Sequence, residues 1–147
     1  HNISLPPGEY GGGYIEKLFT NNLDPNDHAY FSEIYDLKVS SHLLIERDGS
    51  LVQFVPFNKK AWHAGVSSFK GRENCNEFSI GIELEGTDDN KYTEDQYRAL
   101  IDITKELMLV FQDIKKENIV GHSDIAPGRK TDPGKAFDWH YYLSNLV

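Results

Sequence analysis

One long amphipathic stretch constrains this chain more than any other. Thr93 with Gln96 three residues later forms a capping box, and Tyr97, Leu100, Ile101, Thr104, Leu107, Met108 and Phe111 then recur at helical spacing. Such a stripe has to be buried against another element, and the β-rich segments elsewhere supply it. Residues Ser40 to Arg47 and Leu51 to Val55 are joined at Asp48-Gly49, a dipeptide that favours a tight turn, which predicts a hairpin. From Ile80 the run to Glu85 alternates, with Ile80, Ile82 and Leu84 on one face and Gly81, Glu83 and Glu85 on the other. This predicts a strand with an acidic end.

Around these, Pro6, Pro7, Gly8 and Gly11 to Gly13 predict a loop, followed by helix from Tyr14. Residues 57–77 lack periodicity and predict a long ordered loop of the kind that walls a binding site. Ile119 and Val120 predict a short strand running into His122, and a last helix begins near Asp138 with Trp139, Tyr142, Leu143 and Leu146. Strands and helices interleave without a regular β-α-β period. The expected fold is therefore α/β in the broad sense, more narrowly α+β, with a mixed central sheet flanked by helices and residues 1–147 forming a single domain. The numbering opens at His1 and not at a methionine, from which residues upstream of His1 are expected to be missing.

Composition excludes several classes of function. A net charge of −8 without clustered Lys and Arg argues against a nucleic-acid partner. Apolar runs are far shorter than the roughly 20 residues that span a bilayer, so no membrane association is expected. Cys75 is the only cysteine, which rules out an intrachain disulfide, fits a cytoplasmic location and reads as a partly buried structural thiol. No obligate protein partner is implied.

Three side chains have the chemistry of metal ligands. His1 leads into the Pro/Gly loop, His122 ends the predicted short strand, and Asp132 sits in a Gly/Pro loop ten residues later. Two donors from one loop and a third from a distant segment can build an open three-ligand zinc site. A strand-ending His is more often structural and an Asp before Pro is a routine turn former, so spacing alone does not decide it.

The strings HNISLPPGEYGGG, AWHAG, FSIGIELEGTD, GHSDIAP and GRKTDPG resemble, in order, the zinc-dependent N-acetylmuramoyl-L-alanine amidases. The likeness is greatest to the cytoplasmic branch that acts on 1,6-anhydro-N-acetylmuramyl peptides. The wider family shares its fold with the peptidoglycan recognition proteins. The resemblance implies Zn²⁺ held by His1, His122 and Asp132, and a small-molecule substrate, a 1,6-anhydromuropeptide cut between the lactyl group and L-alanine in cell-wall recycling. It implies catalytic roles for Glu83 and Lys130, the first as proton carrier and the second as stabiliser of an oxyanion. It places Trp62 and His63 along the substrate groove, and Asn2 and Arg129 beside the metal residues as contacts to peptide or sugar. Glu85 shares a face with Glu83, so one of the two is expected to be a solvated strand end, with Glu83 the functional one. Lys38 and Asn74 depart from the arginines of the family, and a lysine cannot grip a carboxylate in the two-pronged way of arginine. His28, His42 and His140 match no ligand position and read as surface or packing residues.

Two other readings compete with an anhydromuropeptide amidase of this kind: a non-catalytic peptidoglycan-binding module of the same fold, and a broad-specificity wall amidase. A zinc peptidase acting on ordinary protein is a weaker third. The presence of all three donors together with Glu83 and Lys130 favours an enzyme.

Overall fold

The computed structural model describes residues 1–146. Its centre is a four-stranded sheet built from β1 (Asn2–Ile3), β2 (Leu43–Ile45), β3 (Leu51–Gln53) and a strand at Ile82–Glu85. Between the last two in sequence lies a separate two-stranded ribbon, β4 (Ser68–Phe69) and β5 (Arg72–Glu73), so Ile82–Glu85 is β6. The spatial order is β1-β6-β2-β3. β6 pairs in parallel with both neighbours, whereas β2 and β3 form the predicted antiparallel hairpin. The sheet is thus mixed, as the sequence pattern predicts. At the hairpin turn Gly49 has φ +84, a left-handed conformation that glycine adopts without steric cost.

One face of the sheet carries α2 (Glu94–Val110), whose capping box forms as predicted. The Thr93 hydroxyl accepts from Gln96 N at 3.1 Å, and the Gln96 carbonyl oxygen accepts from Thr93 N at 3.1 Å. The Gln96 amide is fully buried and donates to the carbonyls of Ile45 and Glu85, which ties the helix start to two strands. Tyr97, Leu100 and Ile101 pack with Ile45 and Leu84 of the sheet and with Phe137, Tyr142 and Leu146 around α4 (Trp139–Ser144). The Asp138 carboxylate caps α4 by accepting from Tyr141 N. The other face is covered by α1 (Tyr14–Phe19) and a 3-10 turn at Ala29–Glu33, which bury Ile15, Leu18, Phe19 and Phe31 against Leu5 and Leu44.

Three expectations are corrected. Ile119 and Val120 form no strand, and His122 opens the short helix α3 (His122–Ile125) instead of ending a strand. The segment 57–77 contains the β4–β5 ribbon and a 3-10 turn at Cys75–Glu77 and is not loop throughout. Neither Glu83 nor Glu85 is a solvated strand end, since both are buried. Layers cover both faces of β6, so its alternation separates two cores and not core from water. The Glu85 carboxylate accepts from Gly11 N and Arg47 N, which fastens the glycine loop and the hairpin.

Candidate metal centre and active site

Parallel pairing of Asn2 with Leu84 puts Asn2 on the α2 face of the sheet. Alternation then sends His1 to the opposite face, the one on which Glu83 lies. The His1 main-chain nitrogen donates to Ile82 O at 3.1 Å and its carbonyl accepts from Leu84 N at 3.0 Å, so the strand register fixes the ligand. α3 delivers His122 from the side, and Ser123 N donates to Asp132 O at 3.1 Å, joining that helix to the loop that carries Asp132. The loop is held from below. Asn2 donates its amide to Asp88 at 2.8 Å, to Tyr92 Oη at 3.0 Å and to Pro133 O at 3.3 Å, and the Tyr92 hydroxyl donates to Pro133 O at 2.7 Å.

His1 Nδ1 therefore stands 2.9 Å from His122 Nδ1 and 3.1 Å from Asp132 Oδ2, with His122 Nδ1 at 3.3 Å from the same oxygen. Donors on a tetrahedral zinc, each about 2.0–2.2 Å from the metal, lie about 3.3–3.5 Å apart. The triangle is close to that size and slightly contracted. The proton inventory agrees with a cation site. His122 Nε2 faces Ala64 O at 2.9 Å, a carbonyl that only accepts, so the proton is on Nε2 and the lone pair on Nδ1 faces its partners. The three donors fit a divalent metal such as zinc.

Electrostatics within the site are strongly perturbed. Burial by itself raises the Asp132 carboxyl, but close contact with the His1 and His122 imidazoles outweighs it and holds the group well below the usual carboxylate range. His1 shows the converse balance, in which burial lowers its pKa but Glu83 and Asp132 raise it above the ordinary value. His63 is pushed down to about 3 by burial and by the nearby imidazoles, so it is neutral. Glu83 is raised to about 7, chiefly by burial. Its Oε1 lies 3.9 Å from His1 Nδ1, and its buried Oε2 has no hydrogen-bond partner among the described residues. An unpartnered buried carboxylate oxygen is costly and marks a group kept for a reacting proton or ligand. Lys130 lies on the exposed loop after α3, and its positive charge acts on both His1 and Glu83.

The remaining predicted residues separate by orientation. Trp62 is 54% exposed with the Lys60 ammonium 4.0 Å from its ring centre, so the indole is a surface platform and not core. His63 turns inward, its Nδ1 2.9 Å from His1 Nε2. Arg129 donates to Ala64 O at 2.6 Å and Val66 O at 2.7 Å. Asn2 and Arg129 are thus bonded to the protein's own loops. His42 is fully buried, bonded to Lys59 O and Gly81 N, and His28 caps the 3-10 turn by accepting from Tyr30 N. Cys75 is buried and free. Sequence reasoning missed Asp88, Tyr92 and Ser79. It also passed over Gly81, where a glycine inside an alternating strand signals a close approach.

Residues 14–135 match the family described as N-acetylmuramoyl-L-alanine amidase. The chain belongs to this family. Amidases of the family are metal-dependent, and the donor triangle is where such a metal fits. His1 lies outside the matched span and takes its place by strand pairing. The amidase is 62% identical over 139 residues to the 1,6-anhydro-N-acetylmuramyl-L-alanine amidase AmpD of Escherichia coli strain K12, a match that covers 95% of this chain and 75% of the relative. Its fold superposes on the crystal structure of a selenomethionine AmpD derivative with a TM-score of 0.97 at 57% identity, covering 100% of this chain and 82% of the other. It also resembles the E. coli amidase AmiD, solved in complex with anhydro-N-acetylmuramic acid-L-Ala-D-γ-Glu-L-Lys, with a TM-score of 0.71 at 34% identity over 84% of this chain and 54% of that one. Among the described residues no helix is long and apolar enough to cross a membrane.

Proposed function

We propose that the chain is a zinc-dependent 1,6-anhydro-N-acetylmuramyl-L-alanine amidase. It hydrolyses the amide between the lactyl group of 1,6-anhydro-N-acetylmuramic acid and L-alanine in soluble wall fragments, as one catalytic domain working in cytoplasmic cell-wall recycling. The observation that carries this reading is the convergence of the His1, His122 and Asp132 donors beside a carboxylate whose buried Oε2 has no partner among the described residues. Extensive identity to AmpD supports the choice of substrate.

His1, His122 and Asp132 would hold the zinc. Bound there, zinc supplies a Lewis acid and lowers the pKa of a coordinated water to about 7. Glu83, held near neutrality by burial, takes the proton of the attacking water on its free oxygen and returns it to the departing alanine nitrogen. The Lys130 ammonium is positioned to stabilise negative charge on the attacked carbonyl oxygen. Trp62 offers an exposed ring to the sugar or lactyl side of the substrate. Asn2 and Arg129 keep the Asp132 loop and the 64–66 segment in place.

A non-catalytic binding module has no use for a buried carboxylate raised to about 7 beside three metal donors, whose desolvation a simple binding site would avoid. The 1,6-anhydro sugar is a rigid bicycle without a reducing hydroxyl, so a groove shaped to it can discriminate by fit and by polar groups left unpaired with ordinary muramyl sugars. Purified enzyme given equal concentrations of 1,6-anhydro-muramyl peptide and reducing muramyl peptide should release stem peptide much faster from the first, followed by mass spectrometry. Equal kcat/KM on the two would make it a broad-specificity wall amidase, and no release from either would leave only binding.

A further inference from the structure

We propose that the dipeptide His63–Ala64 is one positioning element that fixes both metal histidines as the Nε2–H tautomer, leaving their Nδ1 lone pairs for the cation. This rests on the metal reading above and adds to it the residues that aim the ligands. Ser79 Oγ is 2.6 Å from Cys75 O, and a carbonyl only accepts, so the single hydroxyl proton is donated there. Ser79 Oγ is then the acceptor for His63 Nε2 at 3.2 Å, and the His63 proton is on Nε2. An imidazole in its neutral form carries a single N–H, and with that proton on Nε2 the His63 Nδ1 offers a lone pair, which at 2.9 Å accepts from His1 Nε2–H. That leaves the His1 Nδ1 lone pair facing His122 and Asp132. One residue further on, the Ala64 carbonyl accepts from His122 Nε2–H at 2.9 Å and sets the second ligand in the same way.

The element is held as a unit. Asn76 Oδ1 accepts from both His63 N at 3.1 Å and Ala64 N at 2.8 Å, so one side chain pins both backing groups. The His63 ring lies flat against Gly81, where an added Cβ would stand 2.5 Å from the ring Cγ. Gly81 has no freedom to retreat. Its nitrogen donates to His42 Nδ1, and its carbonyl accepts from His42 N, Leu43 N and the Ser41 hydroxyl. Glycine is therefore required just ahead of β6 by the ring that backs the metal ligand. Partners that orient metal-bound histidines in this manner are worth about 10- to 100-fold in metal affinity.

The test uses zinc-loaded protein and reads the imidazoles directly. Long-range ¹H–¹⁵N correlation spectra should show His1, His63 and His122 all protonated at Nε2. Chelator competition should give about 10- to 100-fold weaker zinc binding for His63→Leu. His63→Asn, whose Oδ1 stands where Nδ1 stood, should recover affinity to within a fewfold of wild type. Gly81→Ala, which removes no polar group, should weaken zinc binding by displacing the ring. Protonation of His1 or His63 at Nδ1 in the zinc-loaded wild type would overturn the proposal, as would wild-type zinc affinity in His63→Leu. A wild-type protein that binds no zinc would instead overturn the metal reading, and this proposal with it.

Discussion

Glu83→Gln should make the metal-free protein more stable above neutral pH while removing its activity. Burial raises the folded-state pKa of Glu83 from an ordinary 4.5 to about 7, so ionising it costs more in the folded chain than in the unfolded one. A raised pKa means that the folded state holds its proton longer. The wild type is therefore unpenalised below pH 4, loses stability between about 4.5 and 7, and has incurred the full cost above pH 8. At 1.36 kcal/mol per pKa unit, a rise of this size amounts to about 3 kcal/mol. The neutral amide keeps the shape and never ionises, so at pH 8 it should gain on the order of 2–3 kcal/mol, or on the order of 6–10 °C in Tm for a domain of this size. Thermal unfolding of both proteins in chelator between pH 4 and pH 9 measures this directly. Chelator is needed because a bound dication would favour the carboxylate and mask the effect. A stability gain that is absent at pH 8, or equally large at pH 4, would refute the reasoning that burial sets this group's protonation.

Further outcomes test the assignments around it. Wild type should hold about one zinc per chain by elemental analysis, and His122→Ala and Asp132→Ala should each lose most of it, since two donors and water hold zinc poorly. Lys130→Ala should retain zinc but lose about 100-fold or more in kcat, by the usual size of a single stabilised oxyanion contact; turnover within a fewfold of wild type would strip the residue of that role. Gly134→Ala should destabilise the fold and with it zinc binding, because Gly134 has φ +78 and an added Cβ would stand 2.2 Å from Asp88 Cα. Denaturant titration of that variant should show a lowered midpoint. Tyr92→Phe removes a buried hydroxyl that donates to Pro133 O and should cost about 1–2 kcal/mol, read in the same titration.

Local chemistry made much of this protein legible. The capping box at Thr93, the stripe along α2 and the Asp48-Gly49 turn are decided within a few residues of one another, and each forms as the sequence predicts. The candidate donors were legible too, because few side chains can hold a metal, and the structure brings His1, His122 and Asp132 together. What sequence could not settle was which pairs of layers would close over each segment. The alternation in β6 is the same whether one face or both are buried, and only the position of β6 between β1 and β2, with layers on both sides, buries Glu83 and Glu85 together. Burial then separates their roles: Glu85 finds Gly11 N and Arg47 N as partners, whereas Glu83 keeps an unpartnered oxygen beside His1. His63 reads in sequence as a groove residue and becomes a support for His1 only because residues far apart in the chain meet at 2.9 Å. Hydrogen-bond direction and desolvation depend on neighbours in space, and those neighbours are set by the strand order β1-β6-β2-β3, which no local pattern in the chain encodes.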